Sequence, residues 1–274
     1  MCIRDSSLIV IFNLGGITYI AIATLVSRLL GMLLTFFTLK SKIPELFDFK
    51  EGFRKIPLKK EILTLGIPSA MEQISYNFSQ TIITAIIASL GTIAVSSKIY
   101  TQTITSFIFS IGVAAGVAGN LVIGNYYRNR DFEKIKDFGV TNANRISLIA
   151  GGVNLILALL GRFLVGIFTK DPEITEIVTQ LLFFQILLDP MRVSNEILVN
   201  SLNVLKDVKF PVIVGIVTTY VLVIPLSYLF VSKFSMGLRA VWIIFILDEA
   251  LRRLLFTLRF KSGKWMKINE VDNG

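Results

Sequence analysis

The chain has 274 residues, 53% of them hydrophobic and 17% charged, with a formal net charge of +9 and a mean hydropathy of +0.69. A soluble globule of this size needs a wet polar skin and carries about 25% charged residues, so this composition excludes an ordinary water-soluble domain and points to the bilayer as solvent. One cysteine, Cys2, and no histidine exclude a disulfide framework, histidine catalysis and histidine metal sites within the chain.

A spanning helix needs roughly 20 apolar residues. Seven segments qualify in chain order: Ile17 to Leu39, Ile62 to Leu90, Ile93 to Ile123, Ile146 to Phe168, Ile174 to Leu205, Val212 to Val231 and Leu238 to Phe260. The expected fold class is therefore all-α, a polytopic transmembrane helix bundle of about seven spans. The opening Met1-Cys2-Ile3-Arg4-Asp5-Ser6 matches nothing that follows and reads as an artefactual start on a truncated frame. The charged, proline-bearing stretch from Leu46 to Lys60 suits a short amphipathic helix on the membrane surface and a boundary between two lobes.

In a soluble protein the +9 balance would raise nucleic-acid binding. Here the basic residues fall in alternate loops. One set holds Lys40, Lys42, Lys50, Arg54, Lys55, Lys59 and Lys60, then Arg128, Arg130, Lys134, Lys136 and Arg145, then Lys206 and Lys209, then Arg252, Arg253, Arg259, Lys261, Lys264 and Lys267. The other holds only Lys98, Arg162, Lys170, Lys233 and Arg239. Such asymmetry is the positive-inside signature and predicts a multi-pass protein of the plasma or inner membrane with its C-terminus in the cytoplasm. The basic residues from Lys261 to Lys267 are also placed to meet anionic headgroups.

Polar residues inside apolar segments are costly and by default functional. Glu72 lies about ten residues into the second segment, about 15 Å deep at 1.5 Å per residue, among Gln73, Ser75, Tyr76, Asn77, Ser79 and Gln80. Such a helix either lines a cavity or hydrogen-bonds to a neighbouring helix. In the third segment Gly112, Gly116 and Gly119 have the spacing of a close helix contact, and nothing there resembles a phosphate loop.

In the fifth segment Asp189, Arg192, Glu196, Asn200 and Asn203 recur at helical spacing and share one face. Arg192 can pair with Asp189 or with Glu196 along the helix. The stripe reads as a hydrated lumen wall or as a self-neutralised seam between helices. Pro190 strips the Ile186 carbonyl of its usual donor. That carbonyl beside Asp189 is either a hard-cation site or a plain kink. In the last segment Asp248 and Glu249 precede Arg252 and Arg253 by one turn, so each acid either pairs with its i+4 arginine or faces a cavity. Arg28, in the first segment, snorkels or faces a missing partner.

The run Leu65-Gly-Ile-Pro68-Ser-Ala-Met-Glu72 resembles the seventh helix of multidrug and toxic compound extrusion (MATE) transporters. Gly119-Asn-Leu-Val-Ile-Gly124-Asn125 is similar to the end of that family's eighth helix, with Asn125 where glutamine is usual. Tyr127-Arg-Asn-Arg-Asp-Phe-Glu-Lys is similar to the loop that follows. Asp189-Pro190 through Leu205-Lys206-Asp207-Val-Lys-Phe-Pro211 resembles the tenth helix and its turn, without the usual glycines.

The resemblance covers about residues 15 to 268, as helices six to twelve. It implies the last helix of an N-terminal lobe (7–45), a cytoplasmic linker (46–61) and a C-terminal six-helix lobe (62–274). It implies a Na⁺- or H⁺-coupled antiporter that exports amphipathic organic cations, uses no other cofactor and works with a missing N-terminal lobe and membrane lipids. Glu72 and Asp189 match the family's coupling acids and so are candidate Na⁺ ligands. Tyr76, Asn77, Gln80, Arg192, Glu196, Asn200 and Asp248 are the candidate cavity and substrate residues.

A flippase of lipid-linked saccharides in the same superfamily is the alternative, less favoured by mixed intramembrane charges than by a basic cavity. A purely structural lobe, inactive alone, is another. A membrane enzyme is disfavoured, because no nucleophile cluster accompanies the missing histidine.

Overall fold

The computed structural model describes residues 17–42, 59–234 and 236–266. These are helical apart from short turns, with no strand among the described residues. The chain divides into two units, residues 1–62 and 63–274. The opening Met1 to Ser6, read as artefactual, lies outside the described residues, as does the Leu46 to Lys60 stretch up to residue 58. In the first unit the described helix is α1, Ile17–Lys42, with Lys40 and Lys42 in its last turn, where cations oppose the helix dipole. Thr35 and Thr38 return their hydroxyls to the carbonyls of Gly31 and Leu34, at 2.8 and 2.7 Å. Arg28 lies in the interior of α1.

The second unit holds nearly all of α2 (Lys59–Ala88), then α3 (Thr92–Arg128), α4 (Phe132–Leu159), α5 (Gly161–Phe168), α6 (Pro172–Val204), α7 (Lys209–Lys233) and α8 (Gly237–Ser262). Gly91, at φ +102°, turns α2 into α3 where a side chain would be strained. Asp171 caps α6 by accepting from the Glu173 and Ile174 amides, at 2.9 and 3.3 Å, with Pro172 in the first turn.

Two boundaries differ from the sequence expectation. The basic stretch between Tyr126 and Arg145 is not a loop. α3 runs to Arg128, Arg130 turns the chain at φ +55°, and α4 begins at Phe132. At 1.5 Å per residue the 37 residues of α3 span about 55 Å, well beyond a hydrocarbon core of about 30 Å. The helices therefore continue past the apolar segments that reveal them. Ile135, Phe138 and Gly139 face the protein interior there and keep the first turns of α4 helical. The segment expected from Ile146 to Phe168 is also broken at Leu160, between α4 and α5.

α6 runs through the middle of the second unit and packs against α3, α4 and α8. The α3 glycines set the approach. A Cβ on Gly112 would meet Val193 Cγ2 at 2.8 Å, one on Gly116 would meet Asn200 Nδ2 at 3.3 Å, and one on Gly119 would meet Asn142 Nδ2 at 3.0 Å. At one end of the unit Ile135, Leu205, Phe256, Phe260 and Trp265 form a core. Toward the other end Ile83, Ile87, Leu181, Leu188 and Trp242 form a second.

α7 departs from α-geometry over Thr218–Val223 and again over Leu229–Lys233, where it winds as a π-helix. Pro225 follows the first stretch and denies the Val221 carbonyl its i+4 donor, a common setting for a π-bulge. Among the described residues four helices, α3, α4, α6 and α7, are long and apolar enough to cross a membrane by length and composition. α8 falls short because it carries Asp248, Glu249, Arg252 and Arg253, whose side chains are turned into protein contacts.

Gly112→Leu forces a side chain into Val193 and should destabilise the chain by about 1–3 kcal/mol. Denaturant unfolding in detergent micelles measures this, and an unchanged midpoint would contradict the close contact.

Candidate functional site

A cavity of about 410 Å³ opens between α2, α3, α6, α7 and α8. Tyr76, Ser79, Phe109, Arg192, Asn195, Glu196, Thr219, Glu249, Arg252 and Phe256 are among its lining residues. A smaller space of about 70 Å³ shares Tyr76, Ser79, Arg192, Thr219, Glu249 and Arg252 with it and adds Gln80, Gln102 and Asp248. The α2 residues reach it because 76, 79, 80 and 83 fall on one helical face. Tyr220 Oη donates to the Ser75 carbonyl at 3.1 Å and fastens α7 to that part of α2.

The charges form two linked sets. Arg192 Nε donates to Glu249 Oε1 at 3.4 Å, and Arg192 Nη1 stands 3.7 Å from Asp189 Oδ1. Asn195 Nδ2 donates to Glu249 Oε2 at 2.8 Å and to the Glu249 carbonyl at 2.9 Å. Arg252 Nε donates to Asp248 Oδ1 at 3.0 Å and Thr218 Oγ1 at 2.8 Å, while its Nη2 donates to Thr219 Oγ1 at 2.6 Å and the Gly215 carbonyl at 3.2 Å. Two consecutive threonines at the start of the π-wound stretch thus serve one guanidinium.

Two expected pairings are replaced. Glu249 does not pair with Arg253. It faces Arg192, and Arg253 instead donates to Asn144 Oδ1 at 2.8 Å and Ser147 Oγ at 3.0 Å. Glu196 does not pair with Arg192. Its Oε1 accepts from Asn200 Nδ2 at 2.9 Å, and it has no ion pair among the described residues. The reason is competition: Glu249 on α8 and Asp189, one turn earlier on α6 itself, take up Arg192 in place of its i+4 neighbour. The Asp189–Arg192 and Asp248–Arg252 contacts are present as anticipated.

Asp189 is buried, and its Oδ2 has no hydrogen-bond partner among the described residues. α6 stays helical through Pro190, and the Pro190 carbonyl accepts from Ser147 Oγ at 2.7 Å. Thus α4 and α8, through Ser147 and Arg253, hold the backbone next to Asp189. Tyr76, Gln80, Arg192, Glu196 and Asp248 stand at the cavity wall. Asn77 is on the exposed side of α2, and Asn200 lies against Gly116, away from the lining. Glu72 falls within α2, but its side chain lies outside the described residues. No group of three or more Asp, Glu, Cys or His placed to hold a metal occurs among the described residues.

Sequence reasoning missed Asn195, Thr218, Thr219 and the role of Glu249. Asn195 lies three residues after Arg192 and shares its face, which was a usable signal. The threonines are engaged by Arg252 on another helix, a pairing no local pattern announces.

Apolar helices enclosing a charged cavity define a polytopic helical membrane protein. The family model described as MatE matches residues 68–229, and the chain belongs to this family, the MATE family. It is 33% identical over 258 residues to the uncharacterized transporter YisQ of Bacillus subtilis, covering 93% of this chain and 56% of the relative. It is 29% identical over 261 residues to the probable multidrug resistance protein NorM of Thermotoga maritima, covering 92% and 54%. In fold it is similar to a MOP superfamily transporter from Pyrococcus furiosus (TM-score 0.74, 21% identity, 93% of this chain and 58% of that one). It is also similar to the Vibrio cholerae MATE transporter VcmN in its bent form (TM-score 0.69, 20% identity, 76% and 47%). The chain spans about half the length of the curated relatives it matches.

Among the described residues Glu249 is tied to Arg192 and Asn195, and Glu196 to no charged group. Glu249→Ala should therefore cost about 2 kcal/mol of stability, because it leaves Arg192 with only the longer contact to Asp189, whereas Glu196→Gln should stay within about 0.5 kcal/mol. Denaturant unfolding of the two variants compares them, and equal losses would contradict this wiring.

Proposed function

We propose that this chain is part of a Na⁺- or H⁺-coupled antiporter of the plasma or inner membrane that exports amphipathic organic cations. One observation carries the substrate class. Of the described acids at or beside the cavity, Asp189 and Glu249 are engaged by Arg192 and Asp248 by Arg252, while Glu196 faces the space with an amide as its partner and no ion pair among the described residues. An unpaired carboxylate beside Tyr76, Phe109 and Phe256 suits an ammonium group carried on an apolar or aromatic frame. A cavity of about 410 Å³ has the capacity for a drug-sized molecule.

Coupling falls to Asp189, with Glu72 as its proposed companion from the family resemblance. The unpartnered Oδ2 of Asp189 is a buried oxygen ready for a proton or a Na⁺ ion. An ion bound there in one state and released in another shifts the lobe between inward- and outward-open forms through its differential affinity. The proposed orientation keeps the C-terminus in the cytoplasm, as the distribution of basic residues suggests.

The test is efflux of a cationic dye from cells that express the intact transporter. Asp189→Asn and Glu72→Gln should each abolish the dependence of efflux on the ion gradient. Glu196→Gln should leave that dependence in place and weaken cationic substrates roughly tenfold, while sparing neutral ones. Unchanged efflux in Asp189→Asn would sink the coupling role, and unchanged cation preference in Glu196→Gln would sink the substrate role.

A further inference from the structure

We infer that Arg128, Lys209 and Lys261 form a collar at one end of the second unit that binds the headgroups of anionic phospholipids. The three come from the end of α3, the start of α7 and the end of α8. Their ends are tied together in space. Phe132, just past α3, stacks edge-on to Trp265 at 5.9 Å. Arg259 Nε donates to Asp207 Oδ2 at 2.7 Å and joins the α8 end to the turn before α7. Lys136 lies against Gly263.

Each cation also ends an exposed apolar stripe on its own helix. Leu254 and Leu258 lead at helical spacing to Lys261, Val117 and Leu121 lead to Arg128, and Val217 and Ile213 lead to Lys209. In a membrane protein an exposed apolar stripe meets acyl chains or another apolar helix, and in either case its end marks the edge of the hydrocarbon core, so the cation there stands at headgroup level. This favours lipid over a soluble acidic partner.

The nearby acids are occupied or apart. Asp207 is held by Arg259, Asp131 pairs with Lys134 and Glu133 with Lys136, while Asp137 is exposed on α4. Arg128, Lys209 and Lys261 are exposed and have no ion pair among the described residues. The opposite helix ends are more balanced, with Arg162, Lys170, Lys233 and Arg239 beside Asp171, Glu173 and Glu176.

The experiment equilibrates the full chain with mixed phosphatidylcholine and phosphatidylglycerol micelles and reads the bound ratio by native mass spectrometry. Phosphatidylglycerol should be retained in preference, and retention should fall as salt rises. The combined Arg128→Gln, Lys209→Gln and Lys261→Gln variant should lose the preference, at roughly fivefold per residue and on the order of a hundredfold together. Arg162→Gln, Lys170→Gln and Arg239→Gln combined should keep it, and added glycerol phosphate should not displace the lipid. Equal retention of the two lipids by the unaltered chain overturns the inference without any variant. So does a preference that survives the collar substitutions, is lost equally in the control, or yields to glycerol phosphate.

Discussion

The ion pair between Arg192 and Glu249 is the contact around which the charged interior is arranged. It joins α6 to α8 across the cavity, with Arg192 Nε 3.4 Å from Glu249 Oε1 and Asn195 holding the other carboxylate oxygen at 2.8 Å. At this partly buried wall each charge offsets the desolvation of the other, with Asp189 adding a second, longer contact to Arg192. Neither helix can therefore expose this face to lipid, and each must keep it toward the other. The rest of the interior follows from that constraint. Asp248 and Arg252 neutralise each other one turn away, and Arg253 turns back to α4.

Holding α6 in the middle requires close neighbours on its other sides. The glycines of α3 provide one, since Gly112 leaves room for Val193 and Gly116 for Asn200. Gly139 serves the same purpose for Phe260, bringing α4 against α8. These contacts are tight, whereas the side of α6 toward α2 and α7 is polar and open. The cavity thus occupies the side of α6 where small residues do not draw a helix in.

Much of this was legible in the sequence because one-dimensional periodicity records which face of a helix is polar. Asp189, Arg192 and Glu196 share a face by spacing alone, and the α3 glycines announced a close contact. What spacing cannot record is the partner on another helix. Glu249 and Arg253 satisfy the i,i+4 rule yet separate, because Arg192 on one side and Asn144 with Ser147 on the other offer better geometry. Apolar runs likewise mark where the bilayer contacts a helix and not where the helix stops, so the join of α3 to α4 read as a loop. The π-wound part of α7 gave no warning beyond Pro225.

On the proposed reading, the placement of Asp189 and Glu196 on one helix has a consequence for coupling. The two acids are separated by seven residues, or about 10 Å along the axis, and Arg192 lies between them on the same face. A cation at each would repel the other by about 1.7 kcal/mol at an effective dielectric constant of about 20. That is more than a tenfold mutual weakening, within the usual range of coupling energies between sites. Antiport demands this sign, since the driving ion and the exported cation must disfavour each other's occupancy. A single rigid helix carrying both acids meets the demand by electrostatics alone, without a long chain of moving contacts between two distant sites.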